Sequence, residues 1–246
     1  MGDIIEFYCN NSHIMNEAID RIVVEIYSFK RHCGDKSILL SGCGSKSGTT
    51  TTAINLAIAL AGSGWKTLLV DCDLRKGTKF KHLNENIDIG LTNYLAEEVE
   101  VNKVICETNY ECLSYVPSGI ASNSPIRLLC SAKMEEFVLN AKANYDFIIF
   151  DLPSLNIVAD ANILFPYVDG IALVASLNQT TKRQLSDARR KVSKFSDKCY
   201  GLIVNQVDLP QYKKYIKDYD YFGEENMSKR YKSYNHNAKK QKRKNR

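Results

Sequence analysis

Residues Ser37 to Arg75, SILLSGCGSKSGTTTTAINLAIALAGSGWKTLLVDCDLR, narrow the choice of fold more sharply than any other stretch of the chain. They read as a buried strand (Ile38, Leu39, Leu40), a Gly/Ser-rich turn, an amphipathic helix from about Thr50 to Leu60, and a second buried strand (Leu68, Leu69, Val70) ending on Asp71 and Asp73. A strand that feeds a glycine-rich turn and then a helix N-terminus brings several backbone N–H groups and the positive end of the helix dipole to one point, where a polyphosphate can sit. The second strand aims two carboxylates at the same crevice.

The candidate nucleotide contacts are therefore Gly44, Ser45, Lys46, Ser47, Gly48, Thr49, Thr50 and Thr51. The usual loop, GxxxxGK[ST], sends a lysine to the β/γ-phosphates and a hydroxyl to Mg²⁺. Aligned on Gly48, the lysine position holds Thr49, the hydroxyl position holds Thr50, and Cys43 stands where the first glycine would be. The hydroxyl is kept and the ammonium is not. Lys46 lies in the loop but at neither usual lysine position, so it reads either as a solvated turn lysine or as a phosphate ligand moved along the loop.

Further along, Asn16 to Arg31 has helical spacing of apolar residues, as have Gly90 to Glu98, Ile126 to Ala143, Ala159 to Phe165 and Thr180 to Phe195. Strands are expected at Leu113 to Val116, at Phe147 to Phe150 with Asp151 at its end, at Ile171 to Ala175, and at Leu202 to Val204 ending on Asn205. Lys76 to Asn86 is polar and reads as a mobile connection. Apolar runs alternating with helical segments predict an α/β fold, a doubly wound, mostly parallel sheet with helices on both faces. In that plan ligands bind beyond the carboxyl ends of the strands. The loop, Asp71, Asp73, Asp151 and Asn205 all follow strand ends and so converge from distant parts of the chain. Mg²⁺ prefers oxygen ligands and keeps several waters. The donor set predicts Thr50 on Mg²⁺, Asp151 acting through water, and Asp71 orienting the metal or taking a proton. Asp73 and Arg75 hold the exit of the second strand. Asp71, Asp73 and Lys46 are the candidate catalytic residues, and Arg75 and Asn205 complete the nucleotide set.

At 246 residues the chain suits one large domain with terminal extensions. Its eight cysteines show no CxxC pair or ligand spacing, which predicts reduced thiols and no zinc site. The N-terminus lacks the features of a secretion signal, and no apolar run approaches a membrane span. Residues 212 to 246 carry twelve Lys/Arg against four Asp/Glu, whereas the rest carries 21 against 24. Such a basic segment reads as a disordered, solvated arm.

LLVDCDLRKG resembles the second Walker motif, DxDxR after three apolar residues, of the bacterial tyrosine kinases of capsular and exopolysaccharide synthesis, within the wider group of MinD/ParA-like P-loop ATPases. FIIFDLPS resembles their Walker B strand. The resemblance runs from about residue 13 to 208 and takes in SGIASNSPIRLL, VDGIALVASLNQTTKRQL and GLIVNQVD. Those kinases end in a tyrosine cluster, and this chain carries Tyr212, Tyr215, Tyr219, Tyr221, Tyr231 and Tyr234. The resemblance implies ATP and Mg²⁺ as cofactors, these tyrosines as phosphoacceptors, and a membrane-spanning polysaccharide chain-length regulator and kinase activator as partner. It also implies self-association and a cytoplasmic location against the inner face of the cell membrane, with nucleic acid not expected. The family's ring-assembly motif, Glu-x-x-Arg-x-x-Arg, falls on Glu17, Asp20 and Val23, so its arginines are missing. The expected parts are a helical extension over 1–36, an ATP-binding kinase-like domain over 37–208 and a basic tyrosine-rich tail over 209–246. Two alternatives remain open: a pseudokinase that binds its membrane partner according to nucleotide state, and a partitioning-type ATPase that uses its tail on DNA.

Overall fold

Alternation of side chains along the strands sorts the apolar residues onto the two faces of one sheet. The computed structural model describes residues 4–7, 13–77, 88–157, 160–208 and 210–212. In chain order these form α1 (His13–Cys33), β1 (Ser37–Gly42), α2 (Thr49–Gly62), β2 (Thr67–Asp71), α3 (Leu91–Leu95), β3 (Cys106–Glu107), β4 (Leu113–Val116), α4 (Pro125–Leu129), α5 (Ala132–Asn144), β5 (Phe147–Leu152), β6 (Gly170–Ser176), α6 (Lys182–Val192) and β7 (Cys199–Asn205). The strand order is β3-β4-β2-β5-β1-β6-β7, with every pairing parallel except β3 with β4. This is the doubly wound plan, with β5 at its centre and β1 beside it. The chain divides into two units, Met1–Cys9 with Ile19–Gln206, and Asn10–Ala18 with Val207–Arg246. The sheet belongs to the first. In the second, Tyr212 donates its N–H to the Asp208 carbonyl at 2.8 Å.

On one face of the sheet, Leu39, Leu68, Val70, Ile148 and Phe150 pack with Met134, Phe137 and Val138 of α5 and Ala188 and Val192 of α6. On the other, Ile38, Leu40, Leu69, Phe147 and Ile149 pack with Ala53, Leu56, Ala57 and Leu60 of α2 and Ile26 of α1. Each of the fully buried large side chains contributes about 1.5–3 kcal/mol of transfer free energy. The run of threonines that opens α2 is a poor helix former. Burial of its Ala/Leu face therefore holds that helix, and its hydroxyls are left for the first turn.

Several helices are shorter than the sequence predicts, the one expected over 90–98 covering only Leu91–Leu95. The expected helix over 126–143 is two, broken at Cys130–Ser131, where the Ser131 side chain accepts from Met134 N and caps α5. The helix expected over 180–195 ends at Val192, and a 3₁₀ segment, Ser193–Lys198, follows with Phe195 out of helical geometry. The helix expected over 159–165 is a 3₁₀ turn, Asp160–Leu164. β3 is too short to show a period and was not expected. At that edge Ile5 exchanges backbone hydrogen bonds with Glu107 and Asn109. The Asn109 side chain accepts from Phe7 N and donates to Phe7 O, imitating a strand partner. Most of the polar connection after Lys76 lies outside the described residues. No described helix is long and apolar enough to cross a membrane.

At the amino ends of β1 and β6, opposite the ligand end, Asp169 accepts from Lys36 N (2.9 Å), Ser37 N (3.0 Å) and Ser37 Oγ (2.9 Å), and pairs with Lys142 at 2.6 Å. Burial opposes its charge, but the Lys142 ammonium and the three strand donors outweigh it and hold the carboxyl below its ordinary 3.8. A lowered folded value means stability that is complete above the ordinary value and is lost as pH falls through the folded one. Asp169→Asn should therefore cost about 1–3 kcal/mol at pH 7 in urea denaturation. Its deficit against wild type should close only below about pH 4.

Candidate functional site

The strand register does most of the assembly. β2 and β5 are neighbours in which Asp71 lies level with Asp151, and β5 pairs β1, whose end leads into the glycine-rich loop. A cleft of about 480 Å³ opens there, lined by residues 44 to 51 of the loop and the first turn of α2, by Asp73, Arg75 and Lys76 beyond β2, and by Asp151 to Ser154 and Ile157 at and beyond the end of β5. Of the expected site residues, Gly44, Ser45, Lys46, Ser47, Gly48, Thr49, Thr50, Thr51, Asp73, Arg75 and Asp151 thus line one space. Asp71 and Asn205 do not. Asp71 is buried at the end of β2, where its Oδ1 accepts from Asp73 N at 3.0 Å and fixes the turn that presents Asp73. Asn205 ends β7 and donates its side-chain amide to the Ser47 carbonyl at 3.0 Å, so it holds the loop from behind. Of the six tail tyrosines only Tyr212 is a described residue; the other five lie outside that set.

Backbone donors dominate the loop. Gly48, the N-cap of α2, has φ +80 and makes no side-chain cap, and the first turn contains no acidic residue. The N–H groups of a helix's first turn have no partner within the helix, so Thr49, Thr50 and Thr51 present orphan donors to the cleft. The outward carbonyls, by contrast, are taken. Gly42 O accepts from Ser154 Oγ (2.8 Å) and Leu155 N (3.0 Å), Cys43 O from Asn156 Nδ2 (2.6 Å), Gly44 O from Ser47 Oγ (2.7 Å) and Gly48 O from Thr52 N (2.9 Å). A Cβ on Gly44 would lie 2.9 Å from Gln184 Nε2, which shows how closely the start of α6 abuts the loop. Cys43 sits under the loop, and burial pushes its thiol up to about 11, so it stays neutral at physiological pH.

Lysine charge is present in the cleft, though not at the usual position. Thr49 is half-buried, with its hydroxyl turned under the loop toward Gly42. Lys46 is exposed, with a left-handed backbone at φ 58. Lys76 reaches Asp73 at 3.5 Å with its own side chain 68% exposed. Sequence reasoning missed Lys76, Leu152, Pro153, Ser154 and Ile157 as lining residues, and Asn156 and Gln184 as loop supports. Only Gln184 carries a signal, the Thr181-x-x-Gln184 capping box at the start of α6.

A glycine-rich loop between a central parallel strand and an uncapped helix, with carboxylates at the next two strand ends, defines a P-loop nucleotide-binding fold. Comparison with known proteins agrees: residues 38–199 match the AAA domain family model. The chain is 35% identical to the tyrosine-protein kinase YwqD of Bacillus subtilis over 188 residues, 76% of this chain and 78% of that protein. It is 33% identical to the tyrosine-protein kinase CpsD of Streptococcus agalactiae, covering 71% and 76%. Among solved structures, the kinase domain of the Escherichia coli tyrosine kinase ETK superposes with a TM-score of 0.73 at 26% identity, covering 77% of this chain and 74% of that one. The septum site-determining protein MinD of Pyrococcus horikoshii, complexed with Mg-ADP, shares the fold at a TM-score of 0.57 and 24% identity, covering 69% of each. The chain belongs to the bacterial tyrosine-protein kinase family of P-loop proteins.

Gly48 is required twice over, by its left-handed backbone and because a Cβ there would lie 2.2 Å from Asn205 Nδ2. Gly48→Ala should lower stability by at least about 1–2 kcal/mol from the backbone alone. Urea denaturation of this variant beside Gly62→Ala, where a Cβ meets nothing within 4 Å, gives the comparison.

Proposed function

We propose that the cleft binds Mg-ATP and that the chain transfers the γ-phosphoryl group to tyrosines of its own C-terminal segment, those of a neighbouring copy included. The observation that carries this reading is the uncapped, acid-free first turn of α2 facing Asp73 and Asp151 across one cleft. The residues fit the ligand. Orphan N–H groups suit phosphate oxygens, and the Thr50 hydroxyl with the Asp151 carboxylate offers the hard oxygen donors that Mg²⁺ takes. When bound, the cation neutralises charge that develops on the transferred group.

The protein's share of the reaction is positioning and proton removal. The loop N–H groups, with Lys46 and Arg75 at the rim, hold the phosphates. Asp73 lines the cleft and is better placed than Asp71 to accept the proton of an incoming tyrosine hydroxyl, while Asp71 fixes the turn that presents it. The tyrosine oxygen gains the phosphoryl group, its proton passes to the carboxylate, and the bond to the ADP oxygen breaks. In this reading residues 37–208 are the kinase domain and 209–246 the acceptor arm, with Tyr212, Tyr215, Tyr219, Tyr221, Tyr231 and Tyr234 as acceptors. Each phosphate adds about −1.5 to −2 charges, so filling several sites cancels the arm's basic excess. A membrane-spanning regulator of polysaccharide chain length is the partner we propose, which would place the chain at the inner face of the membrane. Thr49 at the lysine position favours a second reading, nucleotide-gated binding of that partner without transfer.

Calorimetry should show Mg-ATP binding that weakens about tenfold or more in Thr50→Ala and in Asp151→Ala, the loss of a charge-assisted contact of about 1.5 kcal/mol. Unchanged affinity in both variants would remove the cleft from consideration. Losing a preorganised donor typically slows such chemistry by about 10²–10³. Phosphotyrosine formed by the isolated protein should accordingly be scarce by mass spectrometry and should rise in Thr49→Lys. A fall in Lys46→Ala identifies that side chain as the substitute charge, and no phosphotyrosine in any variant, with the membrane partner's cytosolic segment present, supports the second reading.

A further inference from the structure

Gln206 lies just beyond β7, outside the lining of the cleft, yet it is tied to the loop in an unusual way. Its Nε2 donates to the Lys46 carbonyl at 3.2 Å, and its Oε1 accepts from Ser176 Oγ at 2.5 Å. Ser176 is buried at the end of β6, and its N–H is held by Thr180 Oγ1 at 2.9 Å. A continuous chain of hydrogen bonds therefore runs from the end of β6, through one amide side chain, to a peptide of the phosphate loop. The residue that carries the amide and the residue whose carbonyl it holds are both left-handed without being glycine, Gln206 at φ 56 and Lys46 at φ 58. Such a backbone costs about 1–2 kcal/mol for an L-residue and persists where its surroundings over-determine it.

Peptide planarity gives this tie a consequence. In a trans peptide the C=O and the following N–H point in opposite directions. Holding Lys46 O outward sends Ser47 N–H inward, and Asn205 does the same for Gly48 N–H by holding Ser47 O. Two neighbouring side-chain amides thus set the direction of two successive N–H groups, the geometry of an anion nest. A loop without its lysine depends on such donors more than usual.

We propose that Gln206 is a positioning residue for phosphate: its amide, anchored on Ser176, turns the Lys46–Ser47 peptide so that Ser47 N–H faces the bound triphosphate. This rests on the cleft being the Mg-ATP site. Loss of a group that orients a metal's ligand costs about 10- to 100-fold in metal affinity, and by analogy a loss of about tenfold is expected for a misdirected phosphate donor here.

Two variants of the full chain test it, with Mg-ATP and inorganic tripolyphosphate as probes in calorimetry and with Tm followed alongside. Gln206→Gly removes the amide and relieves a left-handed residue. Relief of the left-handed residue offsets the lost acceptor for Ser176, so Tm should change little, while both probes bind about tenfold or more weakly. Gln206→Glu keeps the acceptor for Ser176 but sets a carboxylate oxygen against the Lys46 carbonyl, and should weaken both probes at least as much. Gln206→Gly binding Mg-ATP within about twofold of wild type overturns the proposal. So does a loss of affinity that appears only with a matching loss of Tm in both variants. Wild-type protein that fails to bind Mg-ATP overturns the assignment of the cleft itself, and is told apart because no variant is then needed to see it.

Discussion

Where the chain leaves β1, the carbonyls of the loop are held by protein donors while the N–H groups that open α2 are left to the cleft, and the rest of the site follows from that orientation. Gly48 makes the turn possible, and the carbonyls of Gly42, Cys43, Gly44, Lys46, Ser47 and Gly48 each find a donor elsewhere in the fold. Those donors come from four places: the segment after β5, the end of β7, α2, and Ser47 of the loop itself. Such a loop is held as a rigid concave surface before any ligand arrives, so little ordering remains to be done on binding.

The sheet supplies the other half of the site. Because β5 lies between β1 and β2, the parallel register sets Asp151 beside Asp71 and carries Asp73 to the cleft on the turn that follows. The two apolar layers keep those strands in place, while the Asp169 cluster ties β1 to β6 at the opposite end. Structural polar chemistry and ligand chemistry are thus separated along the strands, with the paired carboxylate at the amino ends and the exposed donors at the carboxyl ends.

Much of this was legible in the residues. Ile38 to Leu40, Leu68 to Val70 and Phe147 to Phe150 are unbroken apolar runs, which only strands covered on both faces require, and each is followed by the polar residues that meet at the cleft. The loop and Asp151 could be placed for that reason. The break at Ser131 was missed because Leu128, Leu129, Met134, Phe137 and Val138 keep roughly helical spacing across it, although a serine before an apolar helix is an N-cap signal. Asn156 and Gln206 were illegible as loop supports for a different reason. Amide side chains are ordinary surface residues in composition, and their role depends on which carbonyl lies within hydrogen-bond reach, which no local pattern records. Asn205 was noticed for its strand end, but whether it meets the cleft or the back of the loop is decided only by the packing of β7.

Amide hydrogen exchange separates this account from one in which side-chain charge does the binding. If the backbone of the loop holds the phosphates, adding Mg-ATP should slow exchange of the amides of residues 45 to 51 strongly, in wild type and in Lys46→Ala alike. Exchange at those amides that Mg-ATP leaves unchanged, or protection that disappears in Lys46→Ala, would contradict it.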